Sequence, residues 1–105
     1  MNNKVYNMLG LARRAGKLSP GHDASFEAIQ KGKAAACFLC TDASDRLKDE
    51  FSRTTTYNGR AVPLIVTGFT IEDLYNATGI RAAVFTVNDD GFVKKINELL
   101  TEENA

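Results

Sequence analysis

From Leu9 to Gly21 the chain reads Leu-Gly-Leu-Ala-Arg-Arg-Ala-Gly-Lys-Leu-Ser-Pro-Gly, and its chemistry concentrates here. Arg13, Arg14 and Lys17 lie at the end of an amphipathic run. Cations there complement the negative end of a helix dipole. Gly21, followed by His22 and Asp23, opens the next helix. The first backbone N–H groups of such a helix lack intrahelical acceptors, glycine allows a close approach, and helix starts of this kind bind phosphate. Basic side chains and a helix start in one short segment predict a surface facing the RNA backbone. Asp23 is a helix-start carboxylate first and an RNA contact second. His22 either stacks on or donates to a base, or stands as an exposed cap residue.

The same segment fits the spacing GxxxxGK, from Gly10 to Lys17, of a phosphate-cradling nucleotide loop. That loop needs a strand before it, a helix after it, and Ser or Thr following the lysine to hold magnesium. Here a helix runs through the motif and Leu18 follows Lys17. The nucleotide-loop reading fails on context.

Net charge is zero, which by itself argues against a nucleic-acid binder. The distribution is uneven. Residues 1–33 hold Lys4, Arg13, Arg14, Lys17, Lys31 and Lys33 against Asp23 and Glu27, and residues 34–105 hold seven basic and eleven acidic groups. Such a field steers a polyanion to one part of a neutral protein. The acidic half also fits another class, an interaction adaptor that docks a basic partner without RNA. Co-purification before and after ribonuclease separates the two.

Other chemistry finds little support. Cys37 and Cys40 have redox spacing, but Ala34-Ala35-Ala36-Cys37-Phe38-Leu39-Cys40 reads as a buried strand rather than a helix start. Positions three apart on a strand face opposite ways, so the sulfurs do not meet. One CxxC and a lone His22 leave a zinc site short of ligands. Asp42, Asp45, Asp49, Glu50, Asp89 and Asp90 fall at helix starts or on polar faces, which reads as solvated charge. With no nucleophile–base pair, a non-enzymatic protein without cofactor or metal is expected.

The 105 residues, 44% hydrophobic and 25% charged, predict a single globular domain over 1–101 with an acidic, frayed tail at 102–105. No apolar run approaches the roughly 20 residues that span a bilayer, and Met1-Asn2-Asn3-Lys4-Val5 lacks a signal-peptide core. A cytoplasmic, monomeric protein is expected.

The elements that must position these residues follow from periodicity and punctuation. Val5, Met8, Leu9 and Ala12 predict a helix from Lys4 to Ala15, stopped by Gly16. A short strand at Leu18–Ser19 leads into a helix ending at Lys31 and closed by Gly32. A strand at Ala34–Thr41 precedes the capping turn Asp42-Ala43-Ser44 and a helix packed through Leu47 and Phe51. After a turn at Tyr57–Arg60, Val62–Val66 reads as a strand with Pro63 near its start or on an edge. Thr70 and Asp73 form a capping box for a helix burying Ile71, Leu74 and Tyr75 and ending at Gly79. Ala82–Val87 is a further strand, and Asn88–Gly91 starts a last helix with Phe92, Val93, Ile96, Leu99 and Leu100 inward. The alternation predicts a layered α/β domain with helices on both faces of a sheet.

Leu9–Leu18, the Gly21 helix ending Ile29-Gln30-Lys31-Gly32-Lys33-Ala34, the Thr41–Ser44 turn and Gly91-Phe92-Val93-Lys94-Lys95 together resemble the bacterial YlxQ-type proteins. These stand in the superfamily of ribosomal proteins L-seven-Ae and L-thirty-e. The resemblance covers essentially the whole chain and implies a three-layer α/β/α sandwich around a mixed, four-stranded sheet. It implies binding of ribosomal or other structured RNA, often a kink-turn, in a ribonucleoprotein. It also implies that Leu18–Ala24, Asp42–Asp45 and Gly79–Ala82 converge, with Ile80 supplying an apolar contact and Arg81 a phosphate contact. Kink-turn binders begin this helix with Gly-x-Asn-Glu and place a lysine three residues after the Glu. The corresponding residues here are Gly21, His22, Asp23, Ala24 and Glu27, which share only the glycine.

Overall fold

The computed structural model describes residues 3–54 and 61–104. In chain order the elements are α1 (Asn3–Arg14), β1 (Leu18–Pro20), α2 (His22–Gln30), β2 (Ala36–Leu39), α3 (Asp45–Thr54), β3 (Leu64–Val66), α4 (Ile71–Thr78), β4 (Val84–Val87) and α5 (Asp90–Asn104). The strands form one mixed sheet in the order β1-β4-β2-β3. β4 is antiparallel to both β1 and β2, whereas β2 and β3 run parallel. The expected turn at Tyr57–Arg60 lies outside the described residues.

The central strands are buried on both sides, so their alternation divides the core into two layers. Ala36 and Phe38 of β2, with Phe85 and Val87 of β4, pack against Val5 and Leu9 of α1, Leu74 of α4, and Val93, Ile96 and Leu99 of α5. Cys37, Leu39 and Val84 face the other way, toward Ile29 of α2 and Phe51 of α3. Phe38 and Phe85, register partners on adjacent strands, stack with ring centroids 5.2 Å apart. The result is the α/β/α sandwich expected.

Cys37 and Cys40 are both free and buried, one in each layer. Burial pushes each thiol up to about 12, with nearby Asp42 and Asp73 adding to the effect at Cys40. Their alternation sets the two sulfurs on opposite faces, as strand geometry requires.

Local signals account for most boundaries. Ser44 Oγ accepts from Leu47 N–H at 3.1 Å at the start of α3. Thr70 and Asp73 exchange both bonds of a capping box, at 3.0 and 3.1 Å, and Asp89 accepts from Phe92 N–H at 3.0 Å to start α5. Pro63 precedes the edge strand β3, and its carbonyl accepts from Cys37 N–H at 2.8 Å. A proline there removes no interior ladder donor.

One expectation is corrected. Tyr75 is 41% exposed rather than part of the buried face of α4. Leu74 turns into the core with Ile71 packed beside it, whereas Tyr75, one position and about 100° further round the helix, faces solvent. The last helix runs through Asn104. Leu99 and Leu100 anchor its final turns in the core, and Thr101 Oγ1 donates back to Asn97 O at 2.8 Å.

Candidate functional site

Backbone hydrogen bonds gather three loops at one end of the sheet. Gly21 N–H donates to Val84 O at 2.8 Å, and Cys40 N–H to Ala83 O at 2.9 Å. Cys40 Sγ reaches Ala82 O at 3.5 Å, and Asp42 Oδ1 accepts from Ile71 N–H at 2.9 Å. The segments 18–24, 42–45 and 79–82 therefore adjoin, as the resemblance implied. Gly21 has φ 91° and ψ 171°, and a Cβ there would meet nothing within 4 Å. Its conformation demands glycine while the space beside it stays open. No side chain caps the start of α2.

His22 is held rather than free. Its Nε2 lies 2.6 Å from Glu50 Oε1 and its Nδ1 3.0 Å from Asp23 Oδ1. The ring stacks on Phe26 and meets Phe51 edge-on. Hydrogen bonds to Glu50 and then Asp23 raise its pKa above the ordinary 6.5. In this arrangement both ring nitrogens are already engaged by carboxylates.

The arginines gather around the end of α4. Arg13 Nη1 donates to Thr78 O at 3.1 Å and lies 3.4 Å from where a Cβ on Gly79 would stand. Gly79 ends the helix in the left-handed region, φ 78°, which turns the chain back across the helix end. Arg14 lines a groove of about 290 Å³ between α1 and α4, with Gly10, Leu11, Ala77 and Thr78. Arg81 projects into solvent with its guanidinium carbon 4.0 Å from the centroid of the Tyr75 ring. Ile80 is 3% exposed and belongs to the core beneath α1 and α4. The surface apolar contact expected of it is not available here, because the turn after Gly79 drives its side chain inward.

Lys17 and Lys33 share a second cleft. Lys17 O accepts from Asn88 N–H at 2.8 Å, and Ala35 N–H donates to Val87 O at 2.9 Å. These bonds bring Lys17 and Lys33 to the beginning of β1, where with Gly16, Ser19 and Asn88 they line a polar cleft of about 500 Å³. Lys17 N–H donates to Ala12 O at 2.9 Å and Gly16 N–H to Arg13 O at 3.1 Å, so this cleft adjoins the turn of α1 that carries Arg13. Lys31 contacts Glu27 at 2.5 Å, an i,i+4 pair on α2, and that ammonium lowers the Glu27 pKa.

The exposure of Tyr75 was not legible in the sequence, because Ile71, Leu74 and Tyr75 share the spacing of a buried stripe. A clue lay in its polar handle, which suits a half-wet position. Among the described residues no group of three or more His, Cys, Asp or Glu could hold a metal ion, and no helix is long and apolar enough to cross a membrane.

This fold, a mixed sheet between helical layers, is found in solved structures. No family model matches the chain. The Giardia lamblia 15.5kD RNA binding protein shares the fold, with a TM-score of 0.64 at 14% identity over 97% of this chain and 89% of that one. A protein of unknown function from Bacillus halodurans C is similar at a TM-score of 0.82 and 29% identity, over 95% and 99% of the two chains. The RNA-binding protein YlxQ of Enterococcus faecium is 34% identical over 97 residues, 92% of this chain and 91% of that protein. The chain belongs to the YlxQ family.

Proposed function

We propose that this chain is a non-enzymatic RNA-binding protein of the translation apparatus, working in the cytoplasm as a monomer without a cofactor. The observation that carries the reading is the meeting of the uncapped Gly21 helix start, the 42–45 turn and the 79–82 loop at one end of the sheet. Kinship with a protein named for RNA binding supports it.

Backbone donors at the start of α2 and the guanidinium groups of Arg13, Arg14 and Arg81 supply phosphate contacts there. Lys17 and Lys33 extend the contact to the far end of β1. Lys31 stands beside them with its charge shared by Glu27, and His22 and Asp23 border the helix start. The RNA is ribosomal or otherwise structured. Ala24 and Glu27 stand where a kink-turn binder carries a base-reading Glu and a lysine, so recognition leads with the backbone rather than with guanine edges.

Binding to ribosomal RNA fragments across a salt series tests this. Alanine at Arg13, Arg14 and Lys17 together should weaken binding and reduce the salt slope by about one for each phosphate that is no longer neutralised. Unchanged binding by the triple variant overturns the assignment.

A further inference from the structure

We propose that the polar cleft at the start of β1 is a seat for a phosphomonoester, the dianionic phosphate that ends a nucleotide or an RNA strand. Gly16, Lys17, Ser19, Lys33 and Asn88 line about 500 Å³ there. None of these residues carries a carboxylate, and among the described residues neither lysine makes an ion pair. Glu27, the acid that feels the charge of Lys33, has its carboxylate bonded to Lys31. Two ammonium groups brought to one cleft repel each other unless an anion lies between them.

Bonds between distant parts of the chain fix the floor of the cleft. Thr86 Oγ1 donates to Asn88 Oδ1 at 3.0 Å, which orients the amide, and Asn88 Nδ2 donates to Ser19 Oγ at 2.9 Å. A primary amide carries two N–H groups, and a serine hydroxyl that accepts a bond still has its own O–H to give. One N–H of Asn88 and the O–H of Ser19 therefore have no acceptor among the described residues. The backbone is pinned as well: Asn88 N–H donates to Lys17 O at 2.8 Å, and Ser25 Oγ to Ser19 O at 3.1 Å. Groups held in this way spend little ordering entropy on binding. At Gly16 a Cβ would meet nothing within 4 Å, so the mouth stays open beside the backbone.

Every polar side chain lining the cleft thus offers a donor, two of them charged and two neutral. A phosphomonoester matches that set, because at pH 7 it carries close to two negative charges on three oxygens that accept. A phosphodiester inside an RNA strand carries one charge. The seat stands on its own geometry, and only its RNA source rests on the RNA-binding reading above.

Two pairs of probes test it: adenosine monophosphate against adenosine, and a ribosomal RNA fragment ending in a phosphate against the same fragment ending in a hydroxyl. In NMR titrations at constant ionic strength, the monophosphate should shift the Asn88 side-chain amide and the Ser19 backbone amide, and adenosine should not. The phosphate-ended RNA should bind about tenfold more tightly than its partner, the range of one charge-assisted hydrogen bond. Lys17→Gln combined with Lys33→Gln should abolish both preferences. Both lysines are exposed, and unchanged melting of the double variant confirms that it folds. A response to the monophosphate alone assigns the seat to free nucleotides, and a response to the RNA end alone assigns it to RNA. No preference within either pair, or a preference that survives the double variant, overturns the seat. If the hydroxyl-ended RNA fails to bind while the monophosphate still shifts Asn88, the seat stands and the RNA-binding reading falls. Binding of both RNAs alike, with no response to the monophosphate, overturns the seat alone.

Discussion

His22 Nε2 lies 2.6 Å from Glu50 Oε1, which ties the first turn of α2 to α3 across the outside of the Phe51 side chain. Asp23 approaches the other ring nitrogen, so two carboxylates favour the imidazolium form and raise its pKa above 6.5. A raised pKa means stability that is fully present below the unfolded value, about 6.5, and lost as pH rises through the folded one. His22→Gln should therefore cost more at pH 5.5 than at pH 9, by under about 1 kcal/mol for so exposed a pair. Denaturant midpoints at the two values measure it. Glu50→Gln should move the imidazole NMR titration back toward 6.5, and a midpoint difference that grew with pH would remove the imidazolium from the account.

Ile80 is a core residue by position, so Ile80→Ala should destabilise the protein by about 2–5 kcal/mol. Urea unfolding gives the value. Arg81→Ala, one residue along but exposed, should shift the midpoint by less than about 0.5 kcal/mol. Similar small effects at both positions would mean that Ile80 does not pack as described.

Cys37 and Cys40 are buried, with thiols pushed up to about 12. Neither should react with a disulfide reagent at pH 8 in the folded state, because the thiolate is the nucleophile and little of it forms. Both should react once the chain is unfolded. Fast labelling of one thiol in the native protein contradicts this.

Lys17 and Lys33 line one cleft at the start of β1. If RNA reaches this cleft, alanine at the two lysines should reduce the salt slope by about two. Filter binding of ribosomal RNA fragments over a salt series resolves the slopes, and an unchanged slope confines the interface to the Gly21 end.

The elements were legible because their signals are local. Apolar spacing marked α1 and α5, and Ser44, Thr70 with Asp73, and Asp89 announced helix starts that their own hydrogen bonds bear out. The two-sided burial of Cys37 and Leu39 against Ala36 and Phe38 followed from the period of a strand. The grouping of side chains into a site was less legible, since it depends on strand order. That β1 pairs with β4 places Lys17 beside Asn88, a neighbour from the far end of the chain. No spacing along the sequence carries that information. Tyr75 and Ile80 exchanged their expected environments for the same reason. A stripe of three apolar residues does not say how many will meet a neighbour, and a loop apolar residue does not say which way the turn will aim it.

The turn at Asp42-Ala43-Ser44 serves both helical layers at once. Ser44 caps α3 on one face of the sheet, whereas Asp42 accepts from the first amide of α4 on the other. Opening this turn would break both bonds, so Leu47 N–H and Ile71 N–H should exchange together although they lie on opposite sides of the sheet. A ligand settled on the turn should slow the exchange of both amides, so that a contact at one loop is felt on both faces of the sheet.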